Sequence, residues 1–92
     1  MGIKIKFMSY LKEITGTSLV ELQPSFDTLE KVMHELLRLY PQLKNEMFDE
    51  DGTMDFIYQL ILNNKRLSWP ENKNLKINNG DQLMIMVFMA GG

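Results

Sequence analysis

The chain has 92 residues, of which 45% are hydrophobic and 24% charged, and its net charge is -2 at neutral pH. This length and composition predict one globular domain, and the acidic balance argues against nucleic acid and anionic membranes as partners. With no cysteine and a single histidine, disulfides, thiolate nucleophiles and histidine-rich metal sites are excluded. No apolar run reaches transmembrane length and the start lacks a secretory pattern, so we expect a soluble cytoplasmic protein.

Two short strands are predicted at the beginning of the chain. Ile3, Ile5 and Phe7 alternate with lysines, which is typical of a strand with one buried face. A reversal is expected at Gly16, and residues 17–22 predict a second strand.

The clearest element is an amphipathic helix that starts near Asp27. Asp27 followed by Glu30 fits a capping box, and Pro41 ends the helix. His34 lies on the polar face, where a solvated position is favoured over a catalytic role. The apolar stripe of the helix consists of Leu29, Val32, Met33, Leu36, Leu37 and Tyr40.

Two irregular regions are expected to help close the core. Leu43, Met47 and Phe48 predict a short helical turn that plugs one end, and Trp69 is expected to cover an edge. Residues 49–52 form an acidic turn. Calcium binding there is conceivable, but the EF-hand spacing is missing, so a solvated loop is favoured.

Two further strands complete the predicted sheet. Residues 54–62 predict the third strand, with Phe56, Tyr58, Leu60 and Leu62 on one face. Residues 82–88 predict the last strand, after the turn "NNGD". The order strand, strand, helix, short turn, strand, strand indicates an α+β fold of two layers, in which one main helix covers one face of the sheet.

The last strand is apolar on both faces, as expected of a strand in the centre of a sheet. A single helix would leave Met84, Met86 and Phe88 exposed on the other face. Either loops cover that patch or a partner binds it, and methionines suit adaptable interfaces.

The sequence ends Met89-Ala90-Gly91-Gly92. Four extended residues reach at most about 14 Å, and two glycines leave no Cβ at the tip, so such a tail can enter a narrow channel. Its reactive group is the C-terminal carboxylate, a poor acyl donor until ATP converts it to an acyl-adenylate. The chain has no phosphate-binding loop, so a partner enzyme would have to supply that chemistry.

These residues resemble the ubiquitin-like β-grasp sulfur carriers, specifically the MoaD family, the small subunit of molybdopterin synthase. "IKIKF", "LKEITGT" and "ILNN" are similar to successive segments of that family. The most specific part is "INNGDQLMIMVFMAGG", which combines a Gly-Asp turn with a terminal diglycine. The family usually has two prolines before its last four residues, where this chain has Val87 and Phe88.

The resemblance implies a β-grasp domain over residues 1–88 and a flexible diglycine tail over residues 89–92. The domain would have a mixed sheet of about four to five strands on one main helix in ββαββ order, with the first and last strands parallel neighbours. An E1-like adenylyltransferase of the MoeB type would use ATP to adenylate Gly92, and a sulfur donor would then convert the adenylate to a thiocarboxylate.

The resemblance also implies roles for individual residues and partners. Gly91 and Gly92 would be the carrier site, and a MoaE-type large subunit of molybdopterin synthase would receive the sulfur. The chain itself would bind no cofactor, metal, nucleic acid or membrane. The docking patch for its partners would consist of Met84, Met86, Phe88 and Met89.

Two other readings stay open from the sequence. The chain could be a ubiquitin-like modifier protein, or a carrier for thiolation of tRNA or another product. It could also be a plain β-grasp interaction module whose diglycine is incidental.

Overall fold

The computed structural model of the chain describes residues 2–8 and 10–88. These residues form one five-stranded sheet and three helices. In chain order the elements are β1 (Ile3–Phe7), α1 (Leu11–Thr15), β2 (Leu19–Leu22), α2 (Leu29–Leu39), α3 (Gln42–Met47), β3 (Tyr58–Leu62), β4 (Lys65–Leu67) and β5 (Gln82–Val87). None of the helices in the described ranges has the length and apolarity needed to cross a bilayer.

The strands lie in the order β2-β1-β5-β3-β4, so the first and last strands are neighbours in the middle of the sheet. β1 and β5 run parallel, and the other three pairs are antiparallel. This mixed sheet with one main helix is the β-grasp architecture, and the predicted fold class is confirmed.

The core lies between α2 and one face of the sheet. Ile3, Ile5 and Phe7 of β1 are fully buried beneath the apolar stripe of the helix. Phe7 meets Tyr40 edge to face, with ring centroids 5.8 Å apart. Burial of Leu43 and Met47 on α3 confirms the predicted plug at one end of the core.

The helix α2 begins one residue later than predicted, with Thr28 rather than Asp27 as its N-cap. The Thr28 Oγ1 accepts a hydrogen bond from the Lys31 N–H at 3.2 Å. The Asp27 carbonyl is instead bound by the N–H of Ile77, which keeps Asp27 outside the helix. The N–H of Glu30 bonds the Lys73 carbonyl at 2.8 Å. The segment that contains Lys73 thus crosses the start of the helix and accepts a hydrogen bond from a backbone N–H of the first turn. A capping box is therefore not needed.

Replacing Thr28 with alanine is expected to lower the free energy of unfolding by about 1 kcal/mol, the usual cost of losing an N-cap hydroxyl. Asp27→Ala is the matched control. It removes the solvent-screened ion pair between Asp27 and Lys31 and leaves the Thr28 hydroxyl in place, so it should lower the free energy of unfolding by less than Thr28→Ala does. Urea unfolding of both variants shows whether Thr28 or Asp27 is the N-cap. A larger loss of unfolding free energy for Asp27→Ala would contradict the assignment of Thr28.

The strand β3 is shorter than predicted, and Phe56 does not face the core. Phe56 is 87% exposed. The Asp55 carboxylate accepts the Ile57 N–H at 3.1 Å, and the Asp55 carbonyl accepts the Tyr58 N–H at 3.1 Å. This local turn breaks the alternation before the strand begins. β2 is likewise shorter than predicted, because the Thr17 hydroxyl bonds its neighbouring backbone at Leu19.

The strand β4 was not predicted. Asn63 and Asn64 both have positive φ and form the tight turn of a hairpin between β3 and β4. β4 has three residues, and only Leu67 is buried, so it carries no detectable periodicity. The predicted turn before β5 is present, and Asp81 joins it to the hairpin through the Asn63 side-chain amide at 2.9 Å.

Candidate docking face and tail root

The central strand β5 has one face in the core and one face turned away from it. Leu83, Ile85 and Val87 are buried, whereas Met84 and Met86 are half-buried on the side without a helix. We call this side of the sheet the open face. Met84 and Met86 therefore lie on one surface, as predicted from the alternation, but each is only partly accessible to solvent.

One neighbour of Met84 extends the apolar surface to the next strand, and the other neighbours in register are polar or charged. In register, Met84 lies between Lys6 on β1 and Ile61 on β3, and Met86 lies beside Gln59. Met84 and Ile61 line a shallow depression of about 250 Å³ together with three polar residues, Asn63, Asn64 and Gln82. The sequence did not lead us to predict that Ile61 lies on the open face. The consecutive apolar residues 60–62 nevertheless show the same pattern of two apolar faces as the last strand.

Phe88 marks the place where the last strand leaves the sheet. Its side chain is 59% exposed, and its N–H bonds the carbonyl of Ile57 at 2.6 Å. A proline, which the resembled family usually has here, could not make this bond. The exposed Phe56 adjoins Ile57 in sequence. We call Phe56, Ile57 and Phe88 together the tail root. Met89, Gly91 and Gly92, the other predicted site residues, lie outside the described residues.

A hydrogen-bonded cluster of two tyrosines and a glutamate supports the tail root. Tyr58 pairs in register with Val87, and its hydroxyl donates to the Glu46 carboxylate at 2.6 Å. Tyr10 donates to the same carboxylate oxygen at 2.8 Å, and the two phenol oxygens contact each other. The cluster joins the N-cap of α1 to α3 and β3 at the end of β5 that contains Val87.

The cluster shifts the titration of its members. Hydrogen bonds from Tyr58 and then Tyr10 hold the pKa of the Glu46 carboxyl below its ordinary value of 4.5. Burial, followed by the hydrogen bonds to Glu46 and Tyr10, raises the pKa of the Tyr58 hydroxyl. At neutral pH the cluster therefore consists of one carboxylate and two neutral phenols.

Glu46→Gln is expected to lower the free energy of unfolding by at most about 1 kcal/mol at pH 7, because solvent screens this exposed carboxylate, and by less at pH 3. Because the folded-state pKa of Glu46 is depressed, its stabilisation is complete above the ordinary pKa and is lost as the pH falls through the folded-state pKa. Urea unfolding at both pH values measures this, with Glu50→Gln as a control of equal charge change. An equal deficit at both pH values would contradict the charged cluster.

The acidic turn and His34 contribute nothing to this face. Asp51 accepts the Thr53 N–H at 2.9 Å, which shapes its own loop. His34 is exposed on α2, as the solvated reading predicts. Among residues 2–8 and 10–88, no group of three or more histidine, aspartate or glutamate side chains is placed to hold a metal ion.

The sheet order, the parallel central pair and the single main helix define a β-grasp domain. At the level of sequence, no family model matches the chain and no curated protein is detectably similar to it. Solved structures do match. SAMP1, small archaeal modifier protein 1, from Haloferax volcanii has a TM-score of 0.82 at 21% identity, covering 98% of each chain.

Two other solved structures have the same fold. A chain of the BexX/CysO complex from Amycolatopsis orientalis matches with a TM-score of 0.79 at 17% identity, over 99% of this chain and 100% of that one. A putative molybdopterin converting factor, subunit 1, from Pyrococcus furiosus matches with a TM-score of 0.69 at 18% identity, over 95% and 97%. At such identities the likeness establishes the fold.

Proposed function

We propose that this chain is a ubiquitin-like sulfur carrier. Its C-terminal Gly92 is adenylated and thiocarboxylated by an E1-like enzyme of the MoeB type, and the sulfur goes to molybdopterin synthesis through a MoaE-type subunit. One observation carries the proposal. The central strand β5 presents an uncovered apolar face and leads directly into the sequence that ends in Gly91-Gly92.

The proposal gives each part of that strand a separate task. Met84 and Met86 on the open face, with Phe88 and Met89 after them, dock the partner. Residues 89–92 then form a tail that reaches at most about 14 Å beyond Phe88. The bond from the Phe88 N–H to Ile57 sets where the tail leaves the sheet. Docking thus brings the carboxylate of Gly92 within about 14 Å of Phe88, at the edge of the bound surface.

The chemistry takes place on the C-terminal carbonyl. A carboxylate oxygen attacks the α-phosphate of ATP, and pyrophosphate leaves. A sulfide nucleophile then attacks the carbonyl carbon of the acyl-adenylate, AMP leaves, and a thiocarboxylate forms. ATP belongs to the partner enzyme in this scheme, and the chain supplies the acyl group and the docking face. No side chain can carry the sulfur as a persulfide, because the chain has no cysteine.

Intact mass spectrometry tests the proposal. The full chain, with Gly92 verified as its C-terminus, is incubated with the E1-like enzyme of the same organism, ATP and sulfide. We expect an ATP-dependent gain equal to the exchange of one oxygen for sulfur, mapped to the C-terminal peptide. The absence of any ATP-dependent change, with an enzyme active on its own known carrier, would reject both carrier and modifier functions.

A ubiquitin-like modifier is the second candidate function. It is favoured by the likeness to SAMP1, which is named small archaeal modifier protein 1. Isopeptide-linked ladders in extracts of the source organism, dependent on Gly92, would support it. Sulfur transfer to tRNA rather than to a pterin would support the remaining carrier alternative. A fold that binds partners but is never activated would identify a plain interaction module.

A further inference from the structure

One row of side chains crosses all five strands of the open face. From the β2 edge to the β4 edge it consists of Leu19, Lys6, Met84, Ile61 and Arg66. The centre of the row is apolar, because Met84 and Ile61 are half-buried neighbours on β5 and β3. One cation lies on each side of this centre. Lys6 and Arg66 are three strand positions apart, which corresponds to roughly 14 Å between their backbones.

The charge of the open face is opposite in sign to the charge of the chain. The chain has a net charge of -2. The open face nevertheless carries Lys4, Lys6 and Arg66, with Glu21 as the carboxylate beside Lys4. Lys6 and Arg66 are exposed, and neither forms an ion pair with another residue of the described ranges. A partner's carboxylates can therefore pair with them without displacing an internal contact.

We infer that the open face selects a protein partner whose docking surface is an apolar ridge with carboxylates on both flanks. Lys6 and Arg66 receive those carboxylates, and Met84 and Ile61 receive the ridge. This inference rests on the proposed function, since it specifies the surface of the E1-like enzyme that activates the tail. The apolar centre favours a protein over a nucleic acid, whose exposed backbone is charged along its whole length.

The physical consequence is steering of the encounter. Complementary charges raise the association rate of two proteins and make it depend on ionic strength. Arg66 adds geometric selectivity, because a guanidinium can bind a carboxylate through two parallel hydrogen bonds. The flanks thus control how quickly and in which orientation the partner arrives, while the apolar centre controls how long it stays.

Stopped-flow association of the full chain with the E1-like enzyme of the same organism tests the inference. The double variant Lys6→Glu/Arg66→Glu is expected to associate at least about 10-fold more slowly than wild type at low ionic strength, with a flatter salt dependence. The matched control is Lys12→Glu/Lys44→Glu on α1 and α3, which changes the net charge equally. It should be slowed clearly less than the test variant at the same low ionic strength and stay within about threefold of wild type near physiological salt.

Two checks keep the outcomes distinct. All four side chains are exposed, so circular dichroism and urea unfolding should be unchanged. If either reversal unfolds the chain, the neutral pair Lys6→Gln/Arg66→Gln replaces it, with a smaller expected loss in the same direction. Adenylation of Gly92 is assayed separately at saturating enzyme, so that a failure of the chemistry is not mistaken for a failure of docking.

Three results would overturn the inference. Equal slowing of both charge-reversed variants would mean that net charge alone matters. An unchanged rate for Lys6→Glu/Arg66→Glu would mean that the flanks take no part. Salt-sensitive binding of duplex DNA or RNA by wild type that the same variant loses, without any effect on enzyme association, would assign the cations to nucleic acid instead.

Discussion

Adding one alanine after Gly92 is expected to slow activation by the E1-like enzyme at least about 100-fold while leaving the free energy of unfolding unchanged. The added residue moves the reactive carboxylate about 3.5 Å further along the chain and converts the Gly92 carboxyl into an amide. The fold should be unaffected, since the last buried residue of the described ranges is Val87, several residues before the added alanine. Adenylate formation followed by intact mass measures the effect.

The same alanine added before Met1 is the control for this experiment. It changes the mass and the composition identically but leaves Gly92 at the end of the chain, so activation should match wild type. Trimming the appended alanine back to Gly92 should restore activation. Thiocarboxylation of the extended chain on Gly92 without prior trimming would contradict the proposed chemistry.

Ile85→Ala is expected to lower the free energy of unfolding by about 3 kcal/mol, near the middle of the range for large-to-small changes in a core. Ile85 is fully buried on the central strand, between β1 and β3. A domain of this size has a total stability of only about 5–15 kcal/mol, so this is a large fraction. Urea unfolding measures this loss, and the m-value of the variant should equal that of wild type.

Met84→Ala is the matched control, because Met84 is the preceding residue on the same strand and faces the other way. Met84 is half-buried on the open face. Its truncation to alanine should therefore lower the free energy of unfolding by less than about 1 kcal/mol. Comparable losses for the two variants would mean that the open face is packed like a core. That result would also remove the surface on which docking is proposed.

Part of the fold could be predicted because it is encoded by local periodicity. Alternation in β1 and the apolar stripe of α2 each reflect a single buried face, and each is visible within a few residues. The two apolar faces of the last strand predicted its central position, which the sheet order confirms. The same pattern predicted the surface that carries Met84 and Met86.

Other features depend on partners that are distant in sequence. The local pattern places Phe56 in a strand. In the structure the Asp55 carboxylate accepts a hydrogen bond from the backbone N–H of Ile57, and the resulting turn precedes the strand. Thr28 rather than Asp27 caps α2, because the segment through Lys73 and Ile77 crosses the start of the helix. Both errors have one cause, since a local pattern cannot show which backbone donors another segment will satisfy.

The candidate site also combines features that local sequence encodes with features that depend on long-range contacts. The sequence by itself determined the two apolar faces of the last strand and the diglycine that follows them, because side-chain alternation and chain order are local properties. Only the tertiary structure decided what surrounds them. Parallel pairing of β1 with β5 brought Lys6 beside Met84, and the hairpin brought Arg66 beside Ile61. The Tyr10–Glu46–Tyr58 cluster likewise joins residues far apart in the chain, because pairing and packing across the sheet are long-range interactions that no local period records.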